Sequence, residues 1–231
     1  PGWNDHGTGD PNALTQTRGF IVEWDGAPPA STSSGSATQG WLQPFASGTL
    51  GGWTQDKPGA WRATADGTVV ALGPNAHLVS PNSMTNFEFK AEIRSDTGAN
   101  GGMYFRVVGV TDKRFPDGYE AQIYNVGADT RTGGLFGFRD TTAQLARDGE
   151  WFTQHVIAIG NHIVILVKGQ VATDYLDQQN RFTAGKFGLQ SNTQGKSVSY
   201  RKVMIKPLPA DPSAAWAEAR KDVPELPASI R

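Results

Sequence analysis

Glu92, Arg106, Glu120 and Gln122 are the residues whose types and spacing could do chemistry. Each is a polar member of an alternating segment. Phe87–Arg94 (FEFKAEIR) sets Phe87, Phe89, Ala91 and Ile93 against Glu88, Lys90, Glu92 and Arg94. Gly102–Val108 (GMYFRVV) sets Met103, Phe105 and Val107 against Tyr104 and Arg106, and Tyr119–Tyr124 (YEAQIY) sets Tyr119, Ala121 and Ile123 against Glu120, Gln122 and Tyr124. A period of two gives each strand one face in a core and one outside it. If the three strands are neighbours, their outer face gathers two carboxylates, a guanidinium and a carboxamide. Such a surface can hold a polar ligand but does not by itself name a reaction. The plainer alternative is a cross-strand Arg106–Glu120 ion pair, worth roughly a few tenths of a kcal/mol.

Bulk properties narrow the setting. A chain of 231 residues fits one large β domain, or one domain with appendages. It is long enough to bury a core without staples. A formal charge of −1 gives no electrostatic case for nucleic acid or an anionic membrane. The absence of Cys excludes disulfides, thiolate metal sites and a cysteine nucleophile, without fixing the compartment. No apolar run approaches membrane-spanning length. The chain begins at Pro1 with no signal peptide, which suits processing or truncation of a longer protein.

Positioning these residues is the task of many short strands. The 28 Gly and 14 Pro are their punctuation. WLQPF from Trp41, AWRAT from Ala60, TVVAL from Thr68 and His77–Ser80 are strand candidates, and Asp66-Gly67 is a hairpin turn. The Trp residues of this region are expected mainly to pack, with a sugar-stacking platform as the alternative. Gly133–Phe138 is a further short strand. EWFTQHVIAIG, HIVILVKG and QVATDYL follow as an antiparallel meander with turns near Gly160 and Lys168-Gly169. Gly185–Gln190 and Ser197–Leu208 close the domain. In the last strand Val198, Tyr200, Val203 and Ile205 are expected to be buried, with a bulge between Tyr200 and Val203. Asp211–Arg231 has helix-forming composition with Ser213 as its N-cap, and should be a short surface helix and tail or a lead into another domain. Frequent turns and almost no helix predict an all-β, two-sheet antiparallel sandwich of concanavalin or jelly-roll type with a short C-terminal helix.

Signatures of other chemistries are missing. There is no Gly-x-Ser-x-Gly elbow, phosphate loop, dinucleotide fingerprint or His-Glu-x-x-His, and no Glu-x-Asp-x-x-Glu strand of the sandwich glycosidases. His6, His77, His155 and His162 are scattered. The last two flank a hairpin turn and are expected to be structural or solvated.

The ordered series NFEFKAEIR, ANGGMYFR, GYEAQIYN and TGGLFGF resembles the 3-keto-disaccharide hydrolase family, a concanavalin-like group. The likeness continues through EWFTQHVIAIGNHIVILVKG, GKFGLQ and YRKV, from about Trp41 to Leu208. The resemblance implies cleavage of a glycosidic bond in a sugar already oxidised at C3. A base removes the acidified C2 hydrogen, the C1 substituent leaves, and water addition completes a net hydrolysis. It implies Glu120 as base or metal ligand and Arg106 as partner of the enolate or a hydroxyl. Asn100, Gln122, Asn125, Tyr104 and Arg201 are the implied substrate-binding residues. No cofactor is certain, and a divalent metal is an open alternative for the cation. The sequence departs from the family pattern in three places. Asn125 stands where Asp is usual, a Leu-Gln-Asp-His-Gly motif appears as Leu189-Gln190-Ser191-Asn192-Thr193 without the His, and Lys202 replaces an Asn. These departures leave a non-catalytic carbohydrate-binding module as the competing reading.

Residues 1–26 resemble the end of a C-type-lectin-like domain, through Trp3-Asn4-Asp5 and a strand at Gly19–Trp24. In that family such a loop can give oxygen ligands to Ca²⁺. The alternative is that Trp3 packs and Asn4-Asp5 turns the chain. Residues 27–40 (APPASTSSGSATQG) read as a Ser/Thr/Pro linker, residues 41–208 as the sandwich and 209–231 as the helical tail. The expected partner is carbohydrate, with neither nucleic acid nor a membrane-spanning segment, and with other domains of a longer chain as a possibility. The expected location is periplasmic or extracellular.

Overall fold

The computed structural model describes residues 40–109 and 116–230. The lectin-like segment 1–26 and all of the linker except Gly40 lie outside the described residues. Among the described residues, twelve strands precede one helix: β1 (Thr54–Gln55), β2 (Trp61–Ala63), β3 (Val69–Ala71), β4 (Ala76–Met84), β5 (Phe87–Ser95), β6 (Gly101–Gly109), β7 (Asp117–Ile123), β8 (Phe152–Ile159), β9 (His162–Val167), β10 (Gln170–Leu176), β11 (Gly185–Ser191), β12 (Val198–Pro207) and α1 (Pro212–Asp222). They form two antiparallel sheets, a five-stranded one in the order β1-β4-β11-β6-β7 and a seven-stranded one in the order β10-β9-β8-β5-β12-β3-β2. The sandwich is therefore as expected.

The shared face of the three alternating segments is not. β5 belongs to the seven-stranded sheet, and β6 and β7 to the five-stranded one. The apolar halves of all three do meet, in one core between the sheets that includes Phe87, Phe89, Ile93, Met103, Phe105, Tyr119 and Ile123. Alternation specifies which side of a strand is buried, but not which sheet the strand joins. Glu92 thus lies on the far side of the molecule from Glu120. There it pairs with Arg201 Nε and Lys202 Nζ, each at 2.6 Å.

Local signals hold where they rest on turn chemistry. Gly67 takes a φ of 77°, the left-handed region that the β2–β3 turn requires. The β12 bulge falls between Arg201 and Met204, with Lys202 at a φ of 47°. Two strand expectations shrink. Leu42 makes only an isolated bridge to Ile205, and Gly133–Phe138 is a turn whose Leu135 bridges Ala121. The N-cap of α1 is Asp211, which accepts from Ala214 N at 2.9 Å, so Ser213 is not the cap. Pro212 follows, suited to the first helical position because it lacks the N–H that would go unpaired there.

The helix is not a loose surface tail. Ala215, Trp216 and Ala219, with Val223, Leu226 and Ile230 beyond them, cover Ile157, Ile159, Val164 and Leu166 of β8 and β9. Those two strands are apolar on both faces because one face meets the core and the other meets α1. Among the described residues no helix is long and apolar enough to cross a membrane.

Ionisable groups are enclosed beside this helix. Glu88 is fully buried, with His155 Nε2 at 2.8 Å from its Oε2 and Lys206 Nζ at 3.9 Å from its Oε1. The His155 contact is close but poorly aligned for a hydrogen bond. Lys206 is instead satisfied by Asp222 at 2.5 Å and Glu218 at 2.9 Å. Burial, and then the nearby Asp222 carboxylate, push the Glu88 carboxyl up to about 8, so it is protonated at neutral pH. A folded-state value above the unfolded one stabilises fully below the ordinary carboxylate range, and that stability is lost as pH rises through about 8. Urea midpoints should therefore fall from pH 5 to pH 9 in the parent. They should fall less in Glu88→Gln, which keeps the uncharged form throughout; equal slopes would contradict the assignment.

Candidate functional site

The outer face of the five-stranded sheet carries a row of polar side chains on four neighbouring elements. Register aligns His77 of β4 with Gln190 of β11, Gln190 with Gly102 of β6, and Gly102 with Gln122 of β7. The next row aligns Val79, Gly188, Tyr104 and Glu120. The turn after β7 extends the sheet by one short edge, since Phe136 N donates to Glu120 O and Gln122 N donates to Gly134 O, both at 2.9 Å.

Glu120 is only 6% exposed. Its Oε2 accepts from Tyr104 Oη at 2.7 Å. Its Oε1 has no partner among the described residues and is not fully enclosed. Burial pushes the carboxyl up to about 7, against the opposing effect of the Tyr104 hydrogen bond. Tyr104 is driven in the same direction by burial and by Glu120, so it remains a phenol and a donor. Gln122 accepts from Ile123 N at 3.0 Å through Oε1, which leaves its Nε2 as the free donor.

Glycine makes room for this arrangement. A Cβ on Gly102 would collide with Oε1, Cγ and Cδ of Glu120. Gly102, read from the sequence as part of ANGGMYFR, is thus the floor on which the carboxylate lies. Gly102→Ala should leave a folded protein with the Glu120 side chain displaced from Tyr104. The check is a shifted carbon-13 titration of the Glu120 carboxyl beside an unchanged circular dichroism spectrum.

Four of the seven residues expected at the site share this face. Tyr104, Glu120 and Gln122 form its centre. Asn100 continues the alternation beyond Gly102, its carbonyl accepting from Asn192 N at 2.8 Å and its N–H donating to Thr193 Oγ1 at 2.9 Å.

Arg106, Asn125 and Arg201 are elsewhere. Arg106 sits in a bulge, where β6 uses two residues opposite the single Phe187 of β11, and its φ is 52°. The bulge turns the side chain inward with Phe105 instead of outward with Tyr104. Arg106 is fully buried, and its Nη1 and Nη2 donate to Phe182 O at 3.0 Å and Thr85 O at 2.8 Å. It forms neither the expected enolate contact nor the ion pair with Glu120. Asn125 is spent on structure, donating to Ser95 Oγ at 3.0 Å and Asp148 Oδ1 at 2.9 Å and accepting from Thr132 Oγ1 at 2.5 Å. A carboxylate at 125 would face Asp148, which explains Asn in place of Asp. Arg201 lies on the seven-stranded sheet, paired with Glu92 and stacked 4.1 Å from the Trp151 ring centre.

Asp56, His77 and Gln190 join the site without having been singled out. His77 Nδ1 is 2.7 Å from Asp56 Oδ2, and Gln190 Nε2 is 3.2 Å from both His77 Nε2 and Tyr104 Oη. His77 alternates correctly within its strand, but its pairing with β11 spans more than a hundred residues and leaves no local signal. As for metals, among the described residues no three His, Asp or Glu side chains converge. Glu120 lacks companion ligands there, so the donor set does not fit a divalent cation.

A shallow cavity of about 350 Å³ adjoins the row at Val79, lined also by Ser83, Val107, Gly185 and Lys186.

Solved structures with this fold include a protein described as a glycosyl hydrolase from Parabacteroides distasonis, 18% identical, with TM-score 0.65 over 74% of this chain and 94% of that one. A carbohydrate binding module from Bacillus subtilis is 20% identical, with TM-score 0.53 over 67% and 95%. A beta-glucanase from Bacillus licheniformis is 14% identical, with TM-score 0.55 over 75% and 100%. No curated protein matches the chain. The family model of the 3-keto-alpha-glucoside-1,2-lyase-like domain covers residues 40–206, from the turn before Leu42 to the end of β12. With well over half of its length matched in this way, the chain belongs to the 3-keto-alpha-glucoside-1,2-lyase-like domain family.

Proposed function

We propose that this domain cleaves the glycosidic bond of a 3-keto-glycoside, with Glu120 as the base. The observation that carries this reading is the Glu120 carboxyl itself. It is nearly enclosed, has one oxygen held by Tyr104 and the other free, and is tuned to about 7. A base works best when its pKa lies near the working pH.

The C3 ketone acidifies the C2 hydrogen. Glu120 Oε1 takes that proton, and the C2–H electron pair becomes an enolate spread onto the C3 oxygen. The enolate then collapses to form the C1–C2 double bond as the C1–O bond breaks, and the departing oxygen receives a proton. Water adding at C1, with a proton returned to C2, gives net hydrolysis; release before that step gives the elimination product. Gln122 Nε2 is the donor available to the enolate oxygen. Asn100 stands at the end of the same face as a contact for a sugar hydroxyl. The family description supports this substrate class, and the carbohydrate-related descriptions of the fold neighbours agree with it.

One observation favours a second reading, binding without turnover. The guanidinium expected to meet the enolate is held by backbone carbonyls inside the sandwich, so among the described residues no cation lies beside Glu120. Incubation with a 3-keto-glucoside, beside the unoxidised glucoside, separates the two. Release of the aglycone from the keto substrate alone supports cleavage. Saturable binding with no release by the parent protein would replace the enzyme with a carbohydrate-binding module.

A further inference from the structure

The polar row on the five-stranded sheet is a chain of hydrogen bonds with a direction. Asp56 binds His77 twice, accepting from the backbone N at 2.8 Å through Oδ1 and contacting ring Nδ1 at 2.7 Å through Oδ2. A carboxylate accepts only, so Nδ1 carries the proton. Burial lowers the His77 pKa and keeps the ring neutral, so Nε2 has a lone pair and no hydrogen. The Gln190 side chain must then present its amide nitrogen. One N–H donates to His77 Nε2 and the other to Tyr104 Oη, both at 3.2 Å. With its oxygen accepting from Gln190, the Tyr104 hydroxyl gives its single proton to Glu120 Oε2 at 2.7 Å. A cost of this polarity is visible, because Gln190 Oε1 is enclosed and unpartnered. Glu120 enforces this order only when ionised; once its carboxyl is protonated the phenol can donate either way, and the charge that then directs it is at the far end, on Asp56.

We infer that Asp56, through His77 and Gln190, is a positioning residue that fixes the direction in which Tyr104 donates and so controls the protonation of Glu120. Asp56→Asn reverses the sequence. Its Oδ1 can still accept from the His77 backbone, while its Nδ2 now donates to ring Nδ1. The ring proton moves to Nε2, the Gln190 amide turns to offer Oε1, and Tyr104 donates to Gln190. Glu120 then loses its one side-chain hydrogen bond among the described residues.

The ionisable groups around the chain are few. Tyr104 binds Glu120, and Tyr200 of the opposite sheet reaches the core side of the same strands at Gly102 O and Gln190 O; both are held as phenols by burial. Asp56 and Lys57 act on His77.

This inference deepens the proposed role of Glu120, but its test needs no substrate. The Glu120 carboxyl is titrated by carbon-13 NMR, with Glu120→Gln assigning the signal, and the His77 tautomer is read from its ring nitrogens. In Asp56→Asn the tautomer should switch, and the ratio of protonated to ionised Glu120 at fixed pH should rise about five- to tenfold, the effect of one lost hydrogen bond. In a Tyr104→Phe background, where that bond is already gone, Asp56→Asn should add nothing. An unchanged Glu120 titration, or a rise that persists without Tyr104, would overturn the inference. His77→Phe removes the same acceptor by another route and carries the same expectation should Asp56→Asn fold poorly. If no keto-glycoside is cleaved, the proposed function falls while the titration result stands.

Discussion

Glu120→Gln is expected to lower turnover of a 3-keto-glucoside by roughly 10²–10⁴-fold, the range for removing a general base. The loss should fall on kcat, with substrate affinity within a few-fold of the parent. Gln is nearly isosteric, and its carbonyl oxygen can still accept from Tyr104 Oη, now 2.7 Å from Glu120 Oε2. Only the basicity of the free oxygen is lost. The parent rate should rise with pH through about 7, because burial raises the carboxyl to that value and the base is its ionised form. A steady-state pH profile checks both points. A Glu120→Gln variant that kept its rate would remove the carboxylate from the chemistry.

Arg106→Met is expected to destabilise the domain by about 3 kcal/mol, as two buried carbonyls lose charged donors. Phe182 O and Thr85 O bind Nη1 and Nη2, and the guanidinium lies 5.9 Å from the Phe87 ring centre. Burial lowers the Arg106 pKa only to about 10, so the group is charged over the working range. Urea unfolding measures the effect, and Met approximates the lost length without a donor. At temperatures where the variant stays folded, its turnover should be within a few-fold of the parent. A stable variant with abolished turnover would return Arg106 to the site.

These two residues mark where the sequence was readable. Glu120 and Gln122 fall on the polar phase of an undisturbed alternation, so their outward orientation followed from period alone. Arg106 has the same phase in the sequence, but the bulge opposite Phe187 breaks it, and no Gly or Pro marks a left-handed residue there. The bulge in β12 was legible because two apolar positions, Tyr200 and Val203, stand three apart. Glu92 was placed beside Glu120 for a different reason. Consecutive alternating strands suggest neighbours, but the chain crosses from one sheet to the other between β5 and β6, and Glu92 pairs with Arg201, a residue named through the family resemblance, on the seven-stranded side. Asp56, His77 and Gln190 come together only through pairings of β4, β11 and β6, which the local pattern does not encode.

Solvent exchange at C2 isolates the proposed first step from everything that follows it. A 3-keto-glucoside incubated with the protein in deuterium oxide, followed by proton NMR, should lose its C2 signal or show cleavage with deuterium at C2 of the hydrolysed sugar. The rate should increase through about pH 7 and fall to the background of buffer alone in Glu120→Gln. Cleavage that leaves the C2 hydrogen in place, or exchange undiminished in Glu120→Gln, would contradict proton abstraction by this carboxylate.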